Sequence, residues 1–230
     1  MGKVEILPYT TQEPITMIGR LSAICVGAKT DDEERNYKRG LECLKSEHGR
    51  TFEFPDIYME ISGYSARVIR EWYTHIGGAP TRLQESTRYV DESSFRYVTP
   101  QSIKRIPEAK VAYDDAMRQI GLAIRALSEL GVPREDANML LPLGMQTRIV
   151  DKRNLRSLID MSHQRLCTRA YREYRELFMD IYHALCDYSP EWRYVCERYF
   201  VPKCEYLGVC KEKKSCGRVD HQSKDPSAEA

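Results

Sequence analysis

Residues 133–171, PREDANMLLPLGMQTRIVDKRNLRSLIDMSHQRLCTRAY, decide how this chain is read. Pro133 suits the first turn of a helix, where its missing N–H leaves nothing unsatisfied. Glu135 and Asp136 behind it complement the helix dipole, so a short helix is predicted up to the Pro142 region. Beyond it, arginines and amides are spaced along a structured, non-repetitive run with apolar spacers. Asn154 offers a donor and an acceptor together, and Arg156 can neutralise a pyrophosphate. The plainer alternative is a helix whose arginines are solvated or paired with Asp151, Asp160 and Glu173. A last long helix is predicted from about Arg156 or Arg165 through Tyr188, on a stripe of Tyr171, Tyr174, Phe178, Ile181 and Leu185.

Upstream, the pattern mixes strands and helices. Val4 and Ile6 alternate as a short strand, and Pro14 opens a helix whose Ile15, Ile18, Ser22 and Cys25 recur at helical spacing up to Gly27. Thr30 or Asp31 can cap a polar helix through Ser46, with Leu41 and Leu44 as its apolar contacts. Ile57, Met59 and Ile61 have the period of a half-buried strand, which Gly63 is expected to end. A helix from Arg67 to His75 should stop at Gly77-Gly78-Ala79-Pro80. Ala109 to Leu130 carries a clear stripe at Tyr113, Met117, Ile120, Ile124 and Leu127, and Gly131 sits where a left-handed helix end belongs. The economical fold is α+β: one mixed domain over residues 1–218, a small antiparallel sheet packed by long helices, with a cysteine-containing extension from about residue 190. Residues 219–230 are expected to form a disordered tail.

The 230 residues carry a net charge of +1, with basic and acidic side chains interleaved, which argues against a general nucleic-acid binder. Apolar runs are short and interrupted, so neither a secretion signal nor a membrane span is expected, and the cytoplasm is the expected location. The 13 glycines contain no G-x-G-x-x-G fingerprint.

Two segments carry a resemblance. ANMLLPL, QTR, NLRSL, Arg165 and Ala170-Tyr171-x-Glu173 follow in order without a gap and resemble the C-terminal signature of the flavin-dependent thymidylate synthases. REWYTHIGGAPTRLQESTRY (70–89) resembles that family's substrate motif in altered form. QESTR matches at Gln84, Ser86 and Arg88, but of the family's Arg-His-Arg group only His75 is kept, flanked by Thr74 and Ile76. Asn138 stands where the family has an arginine, and Asp160 where it has an asparagine, so the chain looks like a divergent subgroup. The resemblance covers roughly Val4 to Phe178.

The resemblance implies an α+β homotetramer with active sites shared between subunits, converting dUMP to dTMP with methylenetetrahydrofolate as carbon donor and FAD, reduced by NADPH, as hydride source. Arg165 would be the catalytic residue. A guanidinium beside O2 and N3 favours the N3-deprotonated uracil and makes C5 the attacking atom, so no enzyme thiolate is needed. Glu71, Trp72, Tyr73, Thr74, Gln84, Glu85, Ser86, Thr87, Arg88 and Asn138 would join Arg165 around the nucleotide. Thr51, His75, Ile76, Gln84, Asn154, Arg156 and Asp160 would face the cofactor, His75 on the flavin or the folate side. Arg82, Arg148 and Arg153 are candidates to replace the missing positive charges. Phe52 and Phe54 read first as core, with ring stacking as the alternative. Other readings are a related one-carbon transferase acting on another pyrimidine nucleotide, or a flavin- or nucleotide-binding oligomer without turnover.

Cys196, Cys204, Cys210 and Cys216 cluster near the C terminus, with His221 following, but no C-x2-C pair is present. Reduced free thiols are the first reading, and no metal is expected, a structural zinc being the alternative. His163 and His183 read as surface or hydrogen-bonded helix residues.

Overall fold

The computed structural model describes residues 2–220, so residues 221–230 of the expected tail, His221 included, lie outside the described residues. Four strands, β1 (Lys3–Ile6), β2 (Asp56–Ser65), β3 (Thr81–Gln84) and β4 (Gln146–Asn154), form one small sheet in the order β1-β2-β4-β3. The helices are α1 (Pro14–Cys25), α2 (Glu33–Lys45), α3 (Ala66–Trp72), α4 (Gln101–Lys104), α5 (Pro107–Glu129), α6 (Arg134–Ala137), α7 (Leu155–Arg165), α8 (Arg172–Tyr188), α9 (Pro190–Tyr199) and α10 (Lys203–Leu207). The fold is α+β with an antiparallel sheet, as the sequence implies. No helix among the described residues is long and apolar enough to cross a membrane.

The chain divides into two compact units. One comprises the residues up to Val4, Glu60–Thr74 and Thr81–Asp151; the other comprises Glu5–Met59, His75–Pro80 and the chain from Lys152 onward. In the first unit, Ala66 and Arg67 donate their backbone N–H groups to Met145 and Leu143, which fixes the end of β2 against the start of β4. Ser65 caps α3 by accepting the N–H of Val68 at 3.2 Å. Of the stripe on α5, Met117 and Ile124 are buried; Tyr113, Ile120 and Leu127 are half-buried, and the Tyr113 hydroxyl donates to the Val98 carbonyl at 3.0 Å.

In the second unit, α1 and α2 cross closely because two glycines face each other's backbone. A Cβ on Gly19 would stand 1.7 Å from the Asn36 carbonyl oxygen, and one on Gly40 1.9 Å from that of Ile15. The N-terminus of α1 has no side-chain cap of its own. Glu191 of α9 supplies one, accepting the N–H groups of Ile15 at 2.6 Å and Thr16 at 3.0 Å, which fills two donors that a helix start leaves unpaired. Trp192, fully buried, donates its indole N–H to the Thr11 carbonyl at 2.7 Å. The inner face of α8 is Tyr174, Leu177, Phe178, Ile181 and Leu185, all at 0% exposure.

Several expectations are corrected. Gly63 does not end β2: at φ +73° it bends the strand, which pairs on to Ser65. Helix α3 stops at Trp72, so Thr74, His75 and Ile76 follow it outside any helix. Ser22 and Cys25 fall off the buried face of α1, and Asp32, one residue beyond the expected cap, accepts the N–H of Arg35. The single helix expected up to Tyr188 is two, α7 and α8, interrupted at residues 166–171, and α9 and α10 follow in the extension. Strand β4 occupies the arginine-rich run, and no periodicity in the sequence marks β3 or α4.

Candidate functional site

In the first unit, the QESTR residues leave the sheet at the end of β3. Gln84 donates its amide to the Thr147 hydroxyl at 3.1 Å, and the Glu85 N–H donates to the Arg148 carbonyl at 2.9 Å, so β4 fixes where the loop begins. The loop then closes on itself: Tyr89 and Val90 donate backbone N–H groups to the Ser86 carbonyl, and the Ser86 hydroxyl accepts the Arg88 N–H at 3.2 Å. Helix α6 and the residue just after it anchor it. Asn138 donates its amide to the Thr87 carbonyl at 2.6 Å, Arg134 donates to the Tyr89 carbonyl at 2.5 Å, and the Arg88 guanidinium pairs with Glu135 at 2.7 Å. Asn138 is 6% exposed, and its carbonyl oxygen is buried without a hydrogen-bond partner among the described residues. A buried acceptor of this kind costs of order 1–3 kcal/mol until a donor reaches it, so it favours a ligand that brings one.

The structure therefore brings Gln84, Glu85, Ser86, Thr87, Arg88 and Asn138 together. Of the residues at the end of α3, Thr74 turns its hydroxyl back to the Glu71 carbonyl at 2.7 Å, and Tyr73 lies under the Arg82 guanidinium at 4.1 Å. Trp72, expected at the nucleotide, has no exposed surface and serves as core instead. Arg148, offered as a compensating charge, pairs with Glu60 at 2.6 Å, and Arg148 is the main reason that the Glu60 carboxyl titrates below its usual range.

In the second unit, residues 75–78 run beside α7. Arg165, the last residue of α7, donates Nε–H to Nε2 of His75 at 2.8 Å, and its guanidinium carbon sits 4.6 Å from the ring centre of Tyr174. Arg153, 1% exposed on β4, donates to the His75 carbonyl at 2.9 Å. His75 thus lies between two guanidinium groups in a half-buried place. Desolvation, then Arg165, then Arg153 push its pKa down to about 4. A neutral imidazole is what the geometry needs, since only an unprotonated Nε2 can accept from Arg165.

At the other end of α7, the Asn154 side chain caps the helix by accepting the Ser157 N–H at 2.9 Å. Gly78, at φ +75°, lies so close that a Cβ there would meet the Asn154 amide nitrogen at 2.6 Å, so this approach requires glycine. Arg156 reaches Glu53 at 2.6 Å, beside the 3-10 turn Gly49–Glu53 that carries Thr51. Thr51 donates its hydroxyl to the His48 carbonyl at 2.7 Å. Asp160 and Ile76 are exposed, Ile76 at 72%. Phe52 is core, whereas Phe54 is half-exposed and so departs from the core role expected for both.

Thr147, which holds Gln84, was not singled out in the sequence; Glu135 was read only as a helix-dipole partner and Gly78 only as part of a helix stop. Tyr174 was read only as part of a packing stripe; nothing in the pattern marks it as the surface beneath Arg165. Cys196 does not join the other C-terminal thiols: it is fully buried beside Cys186. All eight cysteines are unpaired thiols.

Comparison with known proteins gives a consistent answer. A family model described as thymidylate synthase complementing protein matches residues 6–191. A flavin-dependent thymidylate synthase of Nitratidesulfovibrio vulgaris is 32% identical, covering 94% of each chain. Proteins of the same name from Geobacter sulfurreducens (27% identical, 78% of this chain and 80% of the relative) and Pyrococcus horikoshii (26%, 93% and 91%) are also similar.

Proposed function

The chain belongs to the thymidylate synthase complementing protein family, and from that premise we propose that it is an FAD-dependent thymidylate synthase, methylating dUMP reductively with methylenetetrahydrofolate and NADPH. The observation that carries this reading is the seating of Arg165. A neutral imidazole accepts its Nε–H and an aromatic face lies against its guanidinium, and the two orient the group. A cation held in this way acts on whatever charge develops beside it. Against uracil it stabilises the N3-deprotonated ring, which concentrates electron density at C5 for attack on the one-carbon unit.

The donor set suits a flavin by type: the Arg156 guanidinium can exchange its exposed pair with Glu53 for a pyrophosphate, the Asn154 amide suits a ring edge, and the Thr51 hydroxyl, by giving up the His48 carbonyl, suits a ribityl or phosphate oxygen. When bound, reduced FAD supplies the hydride that turns the transferred carbon into a methyl group. Ser86, Thr87 and Arg88 hold the nucleotide's anionic end, for which phosphate must compete with Glu135. An exposed ion pair of that kind contributes only about 0–1 kcal/mol, less than a charge-assisted bond to phosphate, so the exchange is favourable. The buried Asn138 oxygen accepts a ligand hydroxyl or amine.

A homotetramer with shared sites accords with the apolar side chains that α5 leaves exposed, Val111 at 71% and Leu122 at 45%. We place the catalytic domain at residues 1–218 and the protein in the cytoplasm. The test is tritium release from C5-labelled dUMP, with folate and NADPH, by the yellow protein. Arg165→Ala should lower turnover by roughly a hundredfold or more while FAD stays bound. Intact turnover in that variant, or a colourless preparation indifferent to FAD, overturns the proposal.

A further inference from the structure

The C-terminal extension gathers thiols that the chemistry above does not use. Cys167 from the interruption between α7 and α8, Cys204 from α10, and Cys210 and Cys216 from the chain beyond line one cavity of about 340 Å³, with His163 of α7 at its wall. Half of the chain's eight cysteines meet there, drawn from three separate stretches of sequence. Cys204 lies within electrostatic reach of both Cys210 and Cys167. The Nε2 atom of His163 is buried without a hydrogen-bond partner among the described residues.

This part of the chain buries little apolar surface of its own. Between residues 201 and 220 only Pro202 and Cys210 are buried, and no residue of α10 is. The ties visible among the described residues are polar or lie at the surface: the exposed pairs Arg169–Glu212 and Arg218–Glu205, the Tyr206 hydroxyl on Glu47, the Tyr206 ring against His163 at 4.5 Å, Arg218 on the Leu166 carbonyl at 3.5 Å, and a backbone bond from Cys210 to Asp220. Exposed ion pairs contribute about 0–1 kcal/mol each, too little to order twenty residues. Segments that cannot bury an apolar core are held by a covalent or metal staple.

We infer that this cavity is a structural site for a thiophilic divalent cation, zinc, with Cys167, Cys204, Cys210 and Cys216 as thiolate ligands. Four thiolates are a complete structural zinc set. The complex carries two negative charges, and Arg169, Lys203, Lys211 and Lys214 around the same cavity offset them. Among the described residues no three metal-ligating side chains already stand at the spacing of a held ion. The cation therefore draws the sulfurs in from the walls to about 2.3 Å and closes the extension as it binds. Each thiol releases its proton to solvent in the process, so binding strengthens with rising pH.

The experiment titrates the reduced full-length protein with Co²⁺. The expected result is a thiolate-to-cobalt charge-transfer band that saturates at about one equivalent per chain, is displaced by Zn²⁺, and is weakened in Cys204→Ser, Cys210→Ser and Cys216→Ser but not in Cys25→Ser. Cys216 and Cys25 are both exposed, so these two variants compare like with like in their burden on folding. Zn²⁺ should also slow tryptic cleavage after Lys213 and Lys214 by about tenfold, an effect that a chelator reverses. Absence of the band in the wild type, its full retention in all three ligand variants, or disulfides among these four cysteines in the isolated protein overturns the inference.

Discussion

At the scale of single residues, His75 is the group whose protonation state the structure most constrains. Its pKa is pushed from 6.5 down to about 4, chiefly by desolvation and then by Arg165 and Arg153. Between those two values the unfolded chain takes up a proton that the folded chain refuses. Stability therefore falls as pH drops from about 6.5 toward 4, levels off below, and is indifferent to this group above. His75→Phe should flatten the dependence of unfolding free energy on pH across that window by up to one proton. Urea melts at several pH values check it, and an unchanged slope refutes the assignment. His75 and Arg165 were each singled out in the sequence, one for the flavin or folate side and one for the pyrimidine. Their mutual hydrogen bond joins positions 90 apart, and no local pattern encodes such a pairing.

At the scale of elements, what could be read depended on which side chains an element buries. Strand β2 was legible because Ile57, Met59 and Ile61 alternate with polar residues. Strand β4 was not, because its buried face is Thr147, Ile149, Asp151 and Arg153 while Val150 points outward, so the period of two carries no hydrophobic signal. The interruption between α7 and α8 was hidden for a different reason. Apolar residues continue through it, and its carbonyls at Thr168 and Ala170 are satisfied by Arg175 from the following helix. The α1–α2 crossing gives a sharp test. Alanine in place of Gly40 gains about 1 kcal/mol of helix propensity, but its Cβ would stand 1.9 Å from the Ile15 carbonyl oxygen. Overpacking of that severity costs about 1–3 kcal/mol or more, so Gly40→Ala should lower the midpoint of denaturant unfolding. A raised midpoint would mean that the helices part without penalty.

At the scale of the whole molecule, the fold class was legible and the partition was not, since each compact unit is assembled from separated stretches of chain. The long-range ties that close the second unit come from α9, where Glu191 and Trp192 bind residues 11–16. Glu191→Ala should destabilise the protein by about 1.5–3 kcal/mol, the range for hydrogen bonds to a charged group, and Glu191→Gln by less because one acceptor survives. Equal melting of wild type and both variants would dismiss the cap. The same contact sets a timetable for synthesis. The ribosome releases α1 early, yet the carboxylate that completes it is translated 176 positions after Ile15, roughly ten to thirty-five seconds later at ordinary elongation rates. A nascent chain stalled or terminated before Glu191 keeps its first helix open, and that interval is when chaperones and proteases have their access to it.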